Sequence, residues 1–319
     1  MADRHAITVA FRLPDEAEAA PQAAFDTTFL EGALPDELAA LEGTEALIVT
    51  PPIQVKGDVV KGLPSSIRAV GTYSVGMHYL DVPTIKASGR VVLFTPDVLK
   101  DAVADTAILL MLGATRRATE SINLIRSDEW QGWHSRQLIG QGFAGKIFGV
   151  FGMGRIGLAA AARARARAFG MRIAYRNRRR LAPEIEDGAR YIADADAFLA
   201  ETDVLLLASP LTPDNHHFLN DQRIAMMRPT AVVLNVGRGD IIDDNALIPA
   251  LQDGRVYAAG LDVLAGEPAF DPRYLNLPNV FMLPHIGSST VETRVATAEA
   301  LIAGLKDVFA GRTPENAIP

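Results

Sequence analysis

Six short runs of apolar residues recur between residues 146 and 284, and turn or helical sequence separates them. Runs of this length predict buried strands, and their alternation with helices predicts a parallel sheet covered by helices. The predicted strands are KIFGVF, MRIAYR, DVLLLAS, TAVVLNV, VYAAGLDV and NVFMLP. Their number and spacing predict one complete doubly wound sheet in the second half of the chain.

A similar alternation occupies the start of the chain. HAITVAF, ALIVTPP, IRAVGTYSVG and VVLFTP predict strands, and LPDELAALEG predicts a helix. Residues 96–126 predict one long connecting helix, and STVETRVATAEALIAGLKDVFAG predicts a final helix with no strand after it. We expect that helix to return to the first domain. The fold class is therefore α/β with two doubly wound parallel-sheet domains, one at residues 98–286 inserted in a discontinuous domain of residues 1–97 and 287–319.

The composition fits an ordinary globular protein and excludes several functions. A chain of 319 residues with 49% hydrophobic residues can form two cores, and its net charge of -7 argues against a nucleic-acid or anionic-membrane partner. The absence of cysteine excludes disulfides, a thiolate nucleophile and Cys-liganded zinc. The N-terminus lacks an apolar signal region, and no uncharged apolar run reaches the length of a membrane span. We expect a cytoplasmic enzyme or binding protein.

The sequence FGMGRIG at residues 151–157 places three glycines after the strand KIFGVF and before a predicted helix. In a dinucleotide site Gly152 permits the tight turn, Gly154 lets the pyrophosphate approach the backbone, and Gly157 lets helix and strand pack closely. This glycine loop, residues 152–157, predicts a dinucleotide cofactor at a helix N-terminus. The predicted contacts are Gly152, Gly154, Arg155, Ile156 and Gly157.

The loop after the next strand indicates which dinucleotide is bound. An acid usually stands there and accepts hydrogen bonds from the adenosine ribose, but this chain has RNRRR at residues 176–180, the basic loop. Guanidinium groups bind a 2′-phosphate with charge-assisted hydrogen bonds, so the loop favours NADP(H) and leaves NAD(H) possible. A solvated basic patch is the alternative. The predicted cofactor contacts in this loop are Arg176, Asn177, Arg178 and Arg179, with Arg176 and Arg178 as the leading contacts of the phosphate.

Polar residues follow three other predicted strands. Arg238 lies in NVGRGD, Asp262 and Glu267 lie in GLDVLAGEP, and His285 lies in LPHIGSST. Because the carboxyl ends of parallel strands meet at one edge, we expect an arginine, a carboxylate and a histidine in one crevice. A histidine can exchange a proton with a carbonyl oxygen, a carboxylate stabilises the imidazolium, and an arginine binds a substrate carboxylate. The six histidines form no ligand-spaced cluster, so no metal is predicted.

The motifs GMGRIG, NVGRGD, GLDVLAGEP and LPHIGSST, in this order, resemble the D-isomer-specific 2-hydroxyacid dehydrogenase family over nearly the whole chain. TYSVGMHYLDV, EWQGW and PHIGSSTVETR most resemble its glyoxylate/hydroxypyruvate reductases. The resemblance implies a Rossmann cofactor domain inserted in a flavodoxin-like substrate domain. It implies catalytic Arg238, Glu267 and His285, with substrate binding by Arg238, His285 and the amides of Val75 and Gly76. It also implies that Ser209, Pro210, Val236 and Asp262 line the cofactor.

The function that the resemblance implies is NADPH-dependent reduction of small 2-oxo acids to D-2-hydroxy acids, with glyoxylate and hydroxypyruvate as the leading substrates. A 2-ketogluconate reductase is the enzymatic alternative, and a dinucleotide-sensing regulatory protein is the alternative of another class. The resemblance also implies a homodimer in which Trp130 or Trp133 reaches the partner. Two departures from the family pattern are Arg176 in place of the acid and about two extra residues between Gly157 and the FGM at residues 169–171.

Overall fold

The computed structural model describes residues 4–154 and 165–319, apart from the Arg165 side chain. The chain forms two compact units, Met1–Leu99 with Ser288–Pro319 as the first and Lys100–Gly287 as the second. Each unit contains one sheet in which every strand pairing is parallel. The predicted α/β class with two doubly wound sheets is confirmed.

The strands of the first unit are β1 (Ala6–Val9), β2 (Asp26–Phe29), β3 (Ala46–Val49), β4 (Ala69–Thr72) and β5 (Val91–Leu93). Those of the second are β6 (Ile147–Phe151), β7 (Arg172–Arg176), β8 (Arg190–Tyr191), β9 (Val204–Leu207), β10 (Val232–Asn235), β11 (Ala258–Leu261) and β12 (Val280–Met282). The described helices are α1 (Asp15–Ala24), α2 (Asp58–Gly62), α3 (Val82–Ala87), α4 (Lys100–Thr115), α5 (Ala118–Arg126), α6 (Arg165–Ala168), α7 (Pro183–Glu186), α8 (Ala195–Glu201), α9 (Asp221–Ile224), α10 (Asp244–Gln252) and α11 (Val291–Phe309).

The sheet of the first unit has the strand order β2-β1-β3-β4-β5, which is the flavodoxin-like order. The final helix α11 buries Leu301 and Leu305 against this sheet, so the C-terminal segment belongs to the first unit. The helix predicted at LPDELAALEG is wrong, because only a 3-10 turn forms at Leu38–Leu41. The helix lies earlier, at α1, where acids in the first turn favour the helix N-terminus and Glu18 accepts two hydrogen bonds from Arg12.

The sheet of the second unit has the order β12-β11-β10-β9-β6-β7-β8 and contains all six predicted strands. The two-residue strand β8 was not predicted from the sequence. The chain runs outward from β6 to β8 and then returns to the other side of β6 at β9. Ligands bind at such a reversal, in the crevice beyond the carboxyl ends of the strands. Phe151, the last residue of β6, pairs with Leu207 on one side and Arg176 on the other.

The single connecting helix predicted at residues 96–126 is wrong, because α4 ends at Thr115 and α5 begins at Ala118. Arg117 between them has a left-handed backbone with φ of 56°. The Thr115 carbonyl accepts a hydrogen bond from the Gln141 amide at 3.0 Å, which takes the helix end out of regular bonding. None of the helices in residues 4–154 and 165–319 is long and apolar enough to cross a membrane.

Candidate active site

Three turns carry polar side chains at the carboxyl edge of the second sheet. They are residues 235–241 at the end of β10, residues 262–267 after β11 and residues 285–287 after β12. We call these three turns together the acid-base edge. β10 pairs with β11 and β11 with β12, so the three turns leave neighbouring strands in the same direction. The predicted residues Arg238, Glu267 and His285 lie on them.

Glu267 and His285 form a hydrogen-bonded pair. The His285 Nδ1 atom lies 2.8 Å from Glu267 Oε2, and Glu267 Oε1 accepts the Leu264 amide at 2.6 Å. A carboxylate at Nδ1 favours the proton on that nitrogen, which leaves Nε2 to exchange a proton with a ligand. Exposure remains at 51% for the His285 side chain and 32% for Glu267, so an incoming molecule can reach the ring.

The charge state of Glu267 suits this pairing. Its burial alone raises the pKa of the carboxyl, but the hydrogen bonds from His285 and the Leu264 amide lower it, as do the charges of His285 and Arg238. The lowering effects win, and the pKa of Glu267 lies below its usual value. The carboxylate therefore stays ionised at neutral pH beside the imidazole. The effect of Arg238 also shows that its charge acts on the pair.

Arg238 is half-buried in a turn that Asn235 shapes. The buried Asn235 side chain donates to the Arg238 carbonyl at 2.9 Å and accepts the Gly237 amide at 3.0 Å. The next residue, Gly239, packs on the segment that leads to Glu267, because a Cβ there would lie 2.0 Å from the Leu264 carbonyl carbon. Only glycine fits this approach, which keeps the turns of Arg238 and Glu267 together. Sequence reasoning missed Asn235, although an asparagine ending the apolar run TAVVL was a usable signal.

Asp262 binds the turn that carries His285. Its carbonyl accepts the His285 amide at 2.8 Å, and its carboxylate oxygens accept the amides of Ile286 and Gly287 at 2.8 and 2.9 Å. These bonds hold His285 in a left-handed conformation with φ of 55°, which is uncommon for a residue other than glycine. Burial raises the pKa of Asp262, although the two carboxylate-amide bonds and the charge of His285 oppose that effect. The prediction that Asp262 lines the cofactor stays a prediction.

The glycine loop begins in the crevice between β6 and β9. Gly152 has φ of 87°, and a Cβ on it would lie 2.7 Å from the Cα of Ser209. Among the described residues, a Cβ on Gly154 would meet only the Gly152 carbonyl oxygen, at 3.9 Å, so these residues do not crowd the position. The remaining predicted contacts, Arg155, Ile156 and Gly157, lie outside the described residues, as do residues 155–164 of the segment predicted as the first cofactor helix, whose residues 165–168 form α6.

Ser209 and Pro210 follow β9, and Ser209 lies beside Gly152 of the glycine loop. Asn215 donates from its amide to Ser209 Oγ at 3.0 Å and to the Pro210 carbonyl at 2.8 Å. Sequence reasoning missed this role of Asn215. Val236, predicted to line the cofactor, is buried, and its amide donates to the Leu207 carbonyl.

The basic loop is attached at both ends. At its start, Asn177 forms two hydrogen bonds with Met153 of the glycine loop. At its end, Arg180 donates from Nε and Nη2 to the buried Glu186, at 2.8 and 3.0 Å. Between these attachments Arg178 and Arg179 are exposed. Arg176 is half-buried, and its Nε is a buried atom with no hydrogen-bond acceptor among the described residues.

The residues of this crevice fit a dinucleotide. Among the described residues no atom crowds Gly154, so they leave room for a phosphate to approach its backbone, and the Nε of Arg176 has no acceptor among them. Phosphate oxygens are strong acceptors for guanidinium groups. A 2′-phosphate near Arg176, Arg178 and Arg179 would supply such an acceptor.

The other predicted residues lie elsewhere. Val75 and Gly76 follow β4 of the first unit, and the Gly76 amide donates to Ser74 Oγ at 3.0 Å. Trp130 and Trp133 follow α5, with 54% and 84% of their surfaces exposed. The described residues contain no group of three or more His, Asp or Glu side chains placed to hold a metal ion.

Known proteins match this chain in both sequence and fold. A family model described as D-isomer specific 2-hydroxyacid dehydrogenase, NAD binding domain, matches residues 108–287. The chain is 39% identical to glyoxylate/hydroxypyruvate reductase B of Enterobacter agglomerans, over 96% of this chain and 95% of that protein. It is 38% identical to the glyoxylate reductase of Thermococcus litoralis, over 86% and 83% of the two chains.

A solved structure extends the likeness to the whole fold. An NADPH-dependent glyoxylate/hydroxypyruvate reductase of Sinorhizobium meliloti, crystallised with NADP and malonate, superimposes with a TM-score of 0.86 at 30% identity. The match covers 99% of this chain and 97% of that one. These likenesses confirm the resemblance drawn from the four motifs. The protein is an oxidoreductase with a dinucleotide-binding domain, and it belongs to the D-isomer-specific 2-hydroxyacid dehydrogenase family.

Proposed function

We propose that this protein reduces small 2-oxo acids, glyoxylate and hydroxypyruvate first, to D-2-hydroxy acids with NADPH. The observation that carries the proposal is the 2.8 Å pair of Glu267 and the half-exposed His285, with the charge of Arg238 acting on it. The names of the relatives support the substrate class, because two curated relatives and a superimposed structure are all glyoxylate reductases or glyoxylate/hydroxypyruvate reductases.

In the reduction, Arg238 holds the substrate carboxylate and polarises the adjacent carbonyl group. His285 donates a proton from Nε2 to the carbonyl oxygen as that oxygen becomes a hydroxyl. Glu267 accepts the Nδ1 proton in a hydrogen bond throughout and stabilises the charged ring before the transfer. The nicotinamide, when bound, supplies the hydride that the carbonyl carbon receives.

The preference for NADPH is assigned to the basic loop. Arg176 has an Nε with no acceptor among the described residues, and Arg178 and Arg179 add exposed positive charge, whereas Arg180 is bound to Glu186. A ribose-binding acid at position 176 would repel a 2′-phosphate, and arginine attracts it. NADH remains a weaker cofactor in this proposal. In this proposal six further residues lie near the pyrophosphate and the nicotinamide: Arg155, Ile156, Gly157, Ser209, Pro210 and Val236.

Two further parts of the proposal concern binding partners. Val75 and Gly76 bind the substrate carboxylate through backbone amides, as in the family pattern. The protein forms a homodimer through residues 109–139, because the described residues expose twelve large apolar side chains and six of them lie there. Those six are Leu109, Ile122, Ile125, Trp130, Trp133 and Ile139. An exposed apolar set of this kind commonly marks a protein interface.

A substrate panel tests the proposal. We expect kcat/KM to be highest for glyoxylate or hydroxypyruvate with NADPH and lower for pyruvate, 2-ketogluconate and every pairing with NADH. Highest activity with 2-ketogluconate would assign a larger 2-oxo acid. NADPH binding without turnover of any 2-oxo acid would instead indicate a dinucleotide-sensing protein.

A further inference from the structure

The glycine loop and the basic loop are joined by three hydrogen bonds. The Gly152 amide donates to the Arg176 carbonyl at 3.0 Å. The Met153 amide donates to Asn177 Oδ1 at 2.7 Å, and Asn177 Nδ2 donates to the Met153 carbonyl at 3.1 Å. Phe151 pairs with Arg176 at the ends of β6 and β7, so these bonds continue that strand pairing into the loops.

The chemistry of Asn177 suits this contact. A primary amide carries a donor and an acceptor at the same end, and it therefore matches the N–H and C=O of one peptide residue. The Asn177 side chain replaces the backbone as the partner of Met153 at the point where the two chains diverge. Tyr191 adds a hydrogen bond from its hydroxyl to the Asn177 carbonyl at 3.2 Å, which ties the backbone of Asn177 to β8.

The position of Met153 explains how this contact can affect cofactor binding. Met153 lies between Gly152 and Gly154, in the loop predicted to bind the pyrophosphate. A backbone held in its binding conformation before the ligand arrives loses less conformational entropy on binding. The same two hydrogen bonds hold Asn177 at the start of the basic loop, so its side chain orders the first residues of both loops.

We propose that Asn177 is a positioning residue that orders the Met153 backbone at the start of the glycine loop, and not a direct contact of the cofactor as the sequence predicted. The inference rests on the proposed function in one respect, that the protein binds NADPH through these two loops. Because Met153 belongs to the loop predicted to bind the pyrophosphate, and every dinucleotide has a pyrophosphate, Asn177 acts on NADPH and NADH alike. Arg176 and Arg178 act on the additional phosphate alone.

Binding measured without substrate tests this distinction. Dissociation constants for NADPH, NADH and ADP-ribose are compared by calorimetry in the wild type, Asn177→Ala and Arg178→Gln. We expect Asn177→Ala to weaken all three ligands by a similar factor of roughly ten, because binding must then order the Met153 backbone that Asn177 holds in the wild type. Arg178→Gln, the neighbouring control, weakens NADPH and leaves NADH and ADP-ribose unchanged.

Asn177→Asp sharpens the result. An aspartate keeps the acceptor for the Met153 amide but has no donor for its carbonyl, so NADH affinity falls less than in Asn177→Ala. The new carboxylate repels the 2′-phosphate, so NADPH affinity falls more. A loss confined to NADPH in Asn177→Ala would make Asn177 a phosphate contact. Unchanged affinity for all three ligands would overturn the inference.

Hydrogen exchange gives a readout that needs no cofactor. In the free protein, Asn177→Ala should speed exchange of the Met153 amide and leave the β6 amides protected, and Asn177→Asp, which keeps the acceptor, should speed it less. Unchanged exchange at Met153 in Asn177→Ala would overturn the inference. Retained β6 protection also shows that the variant is folded. A wild type that does not bind NADPH would contradict the proposed function and leave this exchange result intact, so the two failures are distinguishable.

Discussion

The acid-base edge and the basic loop lie after strands of the same sheet, yet they hold their side chains differently. On the acid-base edge, Glu267 binds His285, and Asp262 accepts three consecutive amides of the turn that carries it. The basic loop is attached at Asn177 and Arg180 and leaves Arg178 and Arg179 exposed. Proton transfer requires atoms held within a few tenths of an ångström, whereas a phosphate is attracted over a longer range.

The largest expected effect comes from removing the proton donor of the acid-base edge. His285→Ala should lower kcat by roughly 10²- to 10⁴-fold, the usual contribution of a general acid. Without the imidazole, no side chain assigned to the site donates the proton to the carbonyl oxygen. The dissociation constant of NADPH should stay near that of the wild type, because the ring is assigned to the carbonyl oxygen. Single-turnover rates and calorimetry measure the two quantities separately.

His216→Ala is the control for that change. His216 is exposed and stacks on His217 with 3.9 Å between ring centroids, and no catalytic role is assigned to it. Its replacement should leave kcat unchanged. Wild-type turnover in His285→Ala would remove the histidine from the mechanism, and an equal loss in His216→Ala would trace the effect to general damage.

A smaller effect is expected where recognition depends on charge. Arg176→Asp should lower the ratio of NADPH to NADH kcat/KM by about 10- to 100-fold, because it replaces a charge-assisted hydrogen bond with repulsion. Arg172→Asp makes the same change of charge at the opposite end of β7, where Arg172 is exposed and donates to the Gly145 carbonyl. The ratio should hold in that control. An equal change of the ratio in both variants would show that cofactor preference follows the overall positive charge and not a contact made by Arg176.

The two regions also differ in how far sequence reasoning reached. Strand ends predicted that Arg238, Glu267 and His285 lie at one edge, because parallel strands bring their carboxyl ends together. The hydrogen bonds of Asp262, Asn235 and Asn177 were not predicted, because they depend on which backbone groups a short polar side chain meets after folding. The break at Arg117 was missed for the same reason, since the competing bond to Thr115 comes from Gln141, which is distant in sequence.

The smallest effect is expected from the attachment of the basic loop at Arg180. Glu186 accepts hydrogen bonds from Arg180 and Tyr175, and these lower its pKa from 4.5 to about 2 against the opposing effect of burial. An acid with a lowered folded-state pKa stabilises the protein above its unfolded-state pKa, and that contribution is lost as the pH falls toward the folded-state value. Glu186→Gln should therefore lower the urea midpoint at pH 7, and its difference from wild type should shrink between pH 4.5 and pH 3.

Glu184→Gln, at an exposed position of the same helix α7, should leave the urea midpoint unchanged both at pH 7 and at pH 3. Because Arg180 then binds a neutral amide, Glu186→Gln should change the ratio of NADPH to NADH kcat/KM less than Arg176→Asp does. A midpoint difference that stays constant with pH would mean that the charge of Glu186 contributes nothing beyond its hydrogen bonds. A change in the cofactor ratio as large as that of Arg176→Asp would mean that the attachment at Arg180, and not the exposed arginines, sets the preference for NADPH.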